Sequence, residues 1–446
     1  LPQPPENTRG QWKSHAGFIL AAVGSAVGLG NMWRFPYITA DRGGAAFVIL
    51  YILMVFVVGV PMMLSEFAVG RRTRLSPISA LRSLGGRRLV WLGYMYVLTG
   101  CLILAYYSVI AGWTLRYTLK ALVQGFAGDP SAFFTQASSG FDAVLFHVLF
   151  MGITISIVVG GVKKGIERAS LVLMPVLFLL IVGLAVWAVF LQGSGSGYSF
   201  YLRPDASRVL STDTLSAAAG QAFFSLSLGM GAMLTYSSYL SRDDDLPTSA
   251  VMISASDFGV AFFAGLVVFP VIFAFGLQQE IGESTVGALF ISLPRGFIEM
   301  GAAGRFVGFL FFAALFVGAL TSAISLLEVV TSSLIDTWKI QRRRAALGAG
   351  IAILVVGLPS AFSLNALGLF DKIAGEFLLV VGAFVLALYV GWRMPDPVGE
   401  LALGFRRPRL LKGWYWIVRV VAPIVLAVVI YEVGKSAVSL VRDTLF

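Results

Sequence analysis

The chain of 446 residues has one cysteine, two histidines and charge at only 13% of its positions. The lone Cys101 excludes an intramolecular disulfide. His15 and His147 are too few and too separated for a metal site and read as helix-end residues. No nucleophile and base are paired, and no phosphate-cradling loop interrupts the apolar runs, so the sequence argues against an enzyme. What is abundant is hydrophobic surface, at 58% of the residues. That balance is far from a soluble domain and describes an all-α protein embedded in a lipid bilayer.

Apolar runs long enough to span a bilayer are expected at 16–40, 45–69, 89–123, 142–160, 167–191, 215–240, 247–277, 305–337, 345–361, 372–393 and 414–436. Residues 1–14 are polar and lack the apolar core of a cleavable signal, so the first span is expected to be retained. The net charge of +10 would suit nucleic acid, but the basic residues occupy alternate loops. Arg71, Arg72, Arg74, Arg82, Arg87 and Arg88 fill one; Lys163, Lys164 and Arg168 another; Lys339 and Arg342 to Arg344 a third; Arg393, Arg406, Arg407, Arg409 and Lys412 a fourth. This asymmetry predicts a cell-membrane protein with a cytoplasmic N-terminus. Eleven spans would then leave the C-terminus outside.

Within the first apolar run stands Gly24-Ser25-Ala26-Val27-Gly28-Leu29-Gly30-Asn31-Met32-Trp33-Arg34-Phe35. Two glycines, an amide and an arginine predict an interrupted helix, whose released backbone must line a cavity rather than face lipid. Gly229-Met230-Gly231 is a counterpart in the sixth run. Paired interruptions point to inverted repeats with a site at the midplane. The expected layout is a tail at 1–14, a five-helix repeat at 15–192 and an extracellular linker at 193–214, with Gly193 to Gly197 as a flexible link. A second, inverted repeat is expected at 215–393, a cytoplasmic loop at 394–413 and an eleventh helix with its tail at 414–446. Residues 280–305 read as an extracellular loop with short helices of its own, capping an outer vestibule.

The run Gly24 to Phe35, together with Gln221 to Gly231 and Leu320-Thr321-Ser322, resembles the neurotransmitter:sodium symporter family, most of all its bacterial amino-acid transporters. The resemblance covers nearly the whole chain. It implies a leucine-transporter-like fold with broken first and sixth helices around one substrate and two sodium ions. A first sodium site would use Ala26, Asn31, Ser225 and Asp257, and a second Gly24, Val27, Gly318, Thr321 and Ser322. A shift of one in the count would exchange Asp257 for Ser256. Substrate contacts would come from Ala26, Leu29, Gly30, Ile103, Tyr107, Phe224, Ser225, Ser227, Met230, Ser322 and Leu326.

Gly28 stands where amine-carrying members have an aspartate, which favours a substrate with its own carboxylate, a neutral hydrophobic amino acid. Asp257 stands where many members have an amide and would replace chloride as the balancing charge. The resemblance also implies an outer gate of Arg34 with Asp371 and an inner gate of Arg9 with Asp336, beside Tyr239, Ser238 and Glu328. Glu66 would brace the sixth helix, and Gly165 with Pro175 would let the fifth unwind. Glu376 has no assigned role. The expected activity is sodium-coupled uptake by alternating access, with a proton-coupled permease or an ion channel as rivals. The motifs specify no oligomeric state.

Overall fold

A computed structural model describes residues 10–204, 212–278 and 288–445. All regular elements among them are helical. The first expected span is a pair, α1 (His15–Ala26) and α2 (Gly30–Asp41), bent by 46° at its break. Continuous spans follow as α3 (Ala45–Thr73), α4 (Val90–Val123), α5 (Gly140–Val159) and α6 (Val162–Val189). The sixth expected span is again two helices, α7 (Thr212–Ser225) and α8 (Ala232–Ser237). Then come α9 (Leu246–Ala274), α10 (Ala302–Trp338), α11 (Arg342–Phe362), α12 (Leu364–Trp392) and α13 (Pro408–Lys435). Nine of these helices are long and apolar enough to cross a membrane, or ten when the bent pair counts as one span. Neither α7 nor α8 is long enough to cross alone.

The most apolar window of α10 is 83% buried, against 28% for α13. The first is therefore a central post of the bundle and the second a peripheral helix presented to lipid. Broken helices and α10 meet at the centre, where Ser25 Oγ donates to Ser325 Oγ at 2.8 Å.

Three sequence expectations change. Gly193 to Gly197 do not form a loose link, because a helix begins at Gly195 and packs on α9. Glycine is required for that packing: a Cβ at Gly197 would lie 2.8 Å from the backbone carbon of Phe269. His147 is not at a helix end but inside α5, fully buried, with Nε2 3.0 Å from the Leu354 carbonyl oxygen. The span expected from residue 372 starts at Leu364, which carries Asp371 well inside it. In the loop at 280–305, residues 279–287 lie outside the described ones, and Leu293–Glu299 forms a short helix.

Candidate functional site at the helix breaks

At the first break Val27 leaves the helix with ψ of 112°. The released groups find partners inside the protein, as they must where no water is at hand. The Leu29 N–H donates to the Tyr107 hydroxyl at 3.1 Å and the Gly28 N–H to Asn31 Oδ1 at 3.0 Å. Gln221 Nε2 donates to the Gly30 carbonyl at 2.9 Å. Gly28 and Gly30 have no positive φ; their role is space. A Cβ at Gly28 would press on the Ser322 and Tyr107 hydroxyls, and one at Gly30 would sit 3.0 Å from the Phe224 ring.

The second break is longer. Residues 226–231 run as turns between α7 and α8, with φ of 53° at Ser227, 80° at Gly229 and 77° at Gly231. The Glu66 carboxylate accepts the Gly229 N–H at 2.7 Å and the Leu234 N–H at 3.1 Å, so one side chain of α3 bridges the unwound segment and the first turn of α8. The Ser227 hydroxyl donates to the Ser25 carbonyl at 2.8 Å and ties the two breaks together.

Between the breaks lies a cavity lined by Ser25, Ala26, Gly28, Gly30, Ile103, Tyr107, Phe224, Ser225, Ser227, Met230, Ser322 and Leu326. Of the expected substrate residues only Leu29 is missing from this lining, and it reaches the site through its N–H to Tyr107. The free volume is about 20 Å³, room for about one water, so the chamber is closed in this conformation.

Asp257 stands fully buried on one side of the chamber. Asn31 Nδ2 donates to its carboxylate at 2.7 Å and to its carbonyl at 3.0 Å; the Ser225 hydroxyl lies 2.9 and 2.8 Å from the two carboxylate oxygens. Tyr51 adds a longer hydroxyl contact at 3.4 Å. Among the described residues no basic side chain forms an ion pair with Asp257. On the other side the Ser322 hydroxyl lies 3.3 Å from the Gly24 carbonyl and 3.1 Å from that of Val27, while the Thr321 hydroxyl lies 3.0 Å from that of Gly318. Both groups consist of hard oxygen donors, the chemistry that suits an alkali or alkaline-earth cation.

Above the chamber the expected Arg34–Asp371 pair is not formed. Arg34 donates to Glu376 at 3.0 Å and stacks 4.7 Å over the Phe224 ring, whereas Asp371 accepts the Tyr106 hydroxyl at 2.8 Å. The reason lies in the helix: Asp371–Leu378 is a π-helical stretch. In an α-helix residues five apart point about 140° from each other; the wider i→i+5 turn brings Asp371 and Glu376 toward one face. A cavity of about 660 Å³ opens over this pair, reaching Asp41, Arg42 and, on α13, Glu432 and Lys435.

Below the chamber, Arg9 lies outside the described residues. Its expected partner Asp336 accepts the Ser76 N–H at 2.7 Å. The Tyr239 hydroxyl donates to Glu328 at 2.6 Å, and Arg342 holds both oxygens of that carboxylate at 3.1 and 2.5 Å. Trp12 Nε1 donates to the Tyr236 carbonyl at 2.9 Å. Gly165 sits in a π-helical turn, Val162–Glu167, and Pro175 lies inside the α-helix that follows. Glu167, at the end of that turn, accepts the Lys13 N–H at 2.7 Å, the Ser14 N–H at 3.1 Å and the Ser14 hydroxyl at 2.9 Å.

A sequence profile of the sodium:neurotransmitter symporter family matches residues 9–131 and 137–442. The chain belongs to that family. An uncharacterized sodium-dependent transporter of Methanocaldococcus jannaschii is 35% identical over 445 residues, 95% of this chain and 90% of its own length. Another, from Bacillus subtilis, is 33% identical over 94% of this chain and 96% of its own. The crystal structure of MhsT in complex with L-phenylalanine matches with a TM-score of 0.86 and 38% identity, covering 95% of this chain and 100% of MhsT. As a member of this symporter family, the chain is a multi-pass membrane transporter and not an enzyme.

Several residues of this symporter escaped sequence reasoning. Tyr51 and Tyr106 are hydroxyls in otherwise apolar helices, and only the three-dimensional meeting with Asp257 and Asp371 distinguishes them from packing residues. Arg342 read as a loop charge and Glu167 was not singled out, although each bonds to another element at the end of the bundle away from Arg34. For Glu376 the signal was present, an acid within an apolar span, but its partner was not.

Proposed function

We propose that this symporter takes up neutral, hydrophobic L-amino acids with two sodium ions by alternating access and without chloride. The observation that carries the reading is Asp257, a buried carboxylate beside the first break with three hydrogen-bond donors and, among the described residues, no basic partner. An ionised group at membrane depth is costly unless it is paired, and a sodium ion held with the Ala26 carbonyl, Asn31 and Ser225 would pair it. The fixed negative charge then does the work of chloride. The second ion takes the Gly24, Val27 and Gly318 carbonyls with Thr321 and Ser322.

The amino acid lies between the breaks. Its carboxylate meets the first sodium, the Leu29 and Gly30 N–H groups and the Tyr107 hydroxyl, because the start of a half-helix favours an anion. Its ammonium meets carbonyls near Phe224 and Ser225 and the Ser227 hydroxyl; its side chain packs on Ile103, Met230 and Leu326. The phenylalanine bound by MhsT supports a hydrophobic substrate. Residues 15–192 and 215–393 act as the two repeats, with Arg34, Glu376 and Asp371 closing outside and Asp336, Tyr239 and Glu328 inside. The N-terminus is cytoplasmic and the C-terminus outside. Two charges moving inward with a zwitterion are worth about 4.6 kcal/mol per 100 mV of membrane potential.

The test is radiolabelled amino-acid uptake into proteoliposomes under an inward sodium gradient, in chloride or gluconate. Accumulation that needs sodium, ignores chloride and is blocked by neutral hydrophobic amino acids is the expected result. Uptake under a proton gradient without sodium would overturn the cation assignment, and unsaturable current without substrate would indicate a channel.

A further inference from the structure

Arg419 lies inside α13, the least enclosed of the spans. Among the described residues no carboxylate comes within the 4.0 Å of an ion pair. Its guanidinium instead rests on an aromatic floor, 4.0 Å from the ring centroid of Trp392 on α12 and 5.8 Å from that of Tyr415. The backbones fix this arrangement. Trp392 Nε1 donates to the Arg419 carbonyl at 3.1 Å, the Tyr415 hydroxyl donates to the Gly391 carbonyl at 2.9 Å, and a Cβ at Gly391 would meet Arg419 Cα at 2.8 Å. The indole N–H is thus turned toward the helix contact.

The surroundings say what covers this group. Trp392 is 57% exposed and Trp416 64%, so the pair faces the lipid. Clustered Trp and Tyr mark the interfacial level of a bilayer, and Arg393 stands exposed on the adjoining loop, with Arg409 and Lys412 exposed in the first turns of α13. A guanidinium at that level keeps its charge, and the headgroups beside it are the nearest source of a counter-charge. Its planar fork suits two phosphate oxygens at once, which a zwitterionic headgroup partly shields and an anionic one leaves open.

We infer that Arg419, stacked on Trp392 between α12 and α13, binds the phosphate of an anionic phospholipid. The site is separate from the helix breaks and serves the protein's anchorage in its leaflet. The test is native mass spectrometry of the purified chain in micelles titrated with phosphatidylglycerol or phosphatidylcholine. Micelles have no inside or outside, so the outcome does not depend on the orientation or transport reading proposed above.

Wild type should retain phosphatidylglycerol in preference to phosphatidylcholine. R419Q should bind phosphatidylglycerol about fivefold more weakly, the ratio expected for one basic residue near an anionic surface, with phosphatidylcholine unchanged. W392L, which keeps the charge and removes the floor, should weaken it in the same direction and serves if R419Q does not fold. R406Q, in the exposed loop, should bind as wild type does. Equal retention by R419Q and W392L, or an equal loss in R406Q, would overturn the site in favour of diffuse attraction to the basic loops. Overturning would also follow if R419Q altered the number of chains per complex and left lipid retention alone, since the covering partner would then be a second copy.

Discussion

Two glycine triplets that look alike in the sequence solve opposite problems. At Gly28-Leu29-Gly30 the backbone keeps ordinary dihedral angles, and the missing side chains make room for the Tyr107 and Ser322 hydroxyls and the Phe224 ring. At Gly229-Met230-Gly231 both glycines hold a left-handed φ, which a side chain resists. The acids beside the breaks divide in the same way. Glu66 spends its carboxylate on two backbone N–H groups, whereas Asp257 gathers side-chain donors at the wall of the chamber. One break is built to receive something; the other is built to stay unwound.

Substitutions can break this contrast. Gly229→Ala should cost the most, about 2–4 kcal/mol of stability from left-handed strain and overpacking, because its Cβ would overlap the Leu379 carbonyl. The check is folded yield and thermal midpoint in detergent. Asp257→Asn should fold normally and lose sodium-driven uptake by tenfold or more, or recover it when chloride is added. Unchanged, chloride-insensitive uptake would remove the charge-balance argument.

Glu66→Gln should do the reverse, costing about 1–2 kcal/mol of stability, read as a lower thermal midpoint, since hydrogen bonds to a charged acceptor are the stronger kind, with sodium dependence kept. Gly28→Ala should lower the midpoint less than Gly229→Ala does, because its Cβ meets side-chain hydroxyls rather than a backbone carbonyl, and should raise the substrate concentration for half-maximal uptake about tenfold, a loss of ~1.4 kcal/mol of binding. The smallest effect is expected at the outer pair: Glu376→Gln removes a partly exposed ion pair worth about 0–1 kcal/mol, so stability should hold while the kinetics of substrate release change. A large destabilisation there would mean that Arg34 depends on Glu376 to remain in the fold.

How far the sequence carried these conclusions depended on distance along the chain. The broken spans were legible because glycines, an amide and an acid inside apolar runs are costly enough to stand out; the cavity residues, and Asn31 and Ser225 beside Asp257, came from the family resemblance, which did not point to Tyr51. The Gly193 to Gly197 segment misled, because close packing on Phe269 demands the same residue as flexibility does. Arg34 misled for another reason: its partner is set by a local change of helix type at Asp371–Leu378, and nothing in the side-chain pattern announces a wider turn.

The clasp of Glu167 on Lys13 and Ser14 has a mechanical consequence. With 12 residues, α1 is a lever about 18 Å long, pivoting at the break beside Gly28. A swing of about 10° there carries the Ser14 end through about 3 Å, the length of the hydrogen bonds that hold it. A swing of that size would break all three bonds, so the clasp would act on that end of α1 as a latch rather than as a spring.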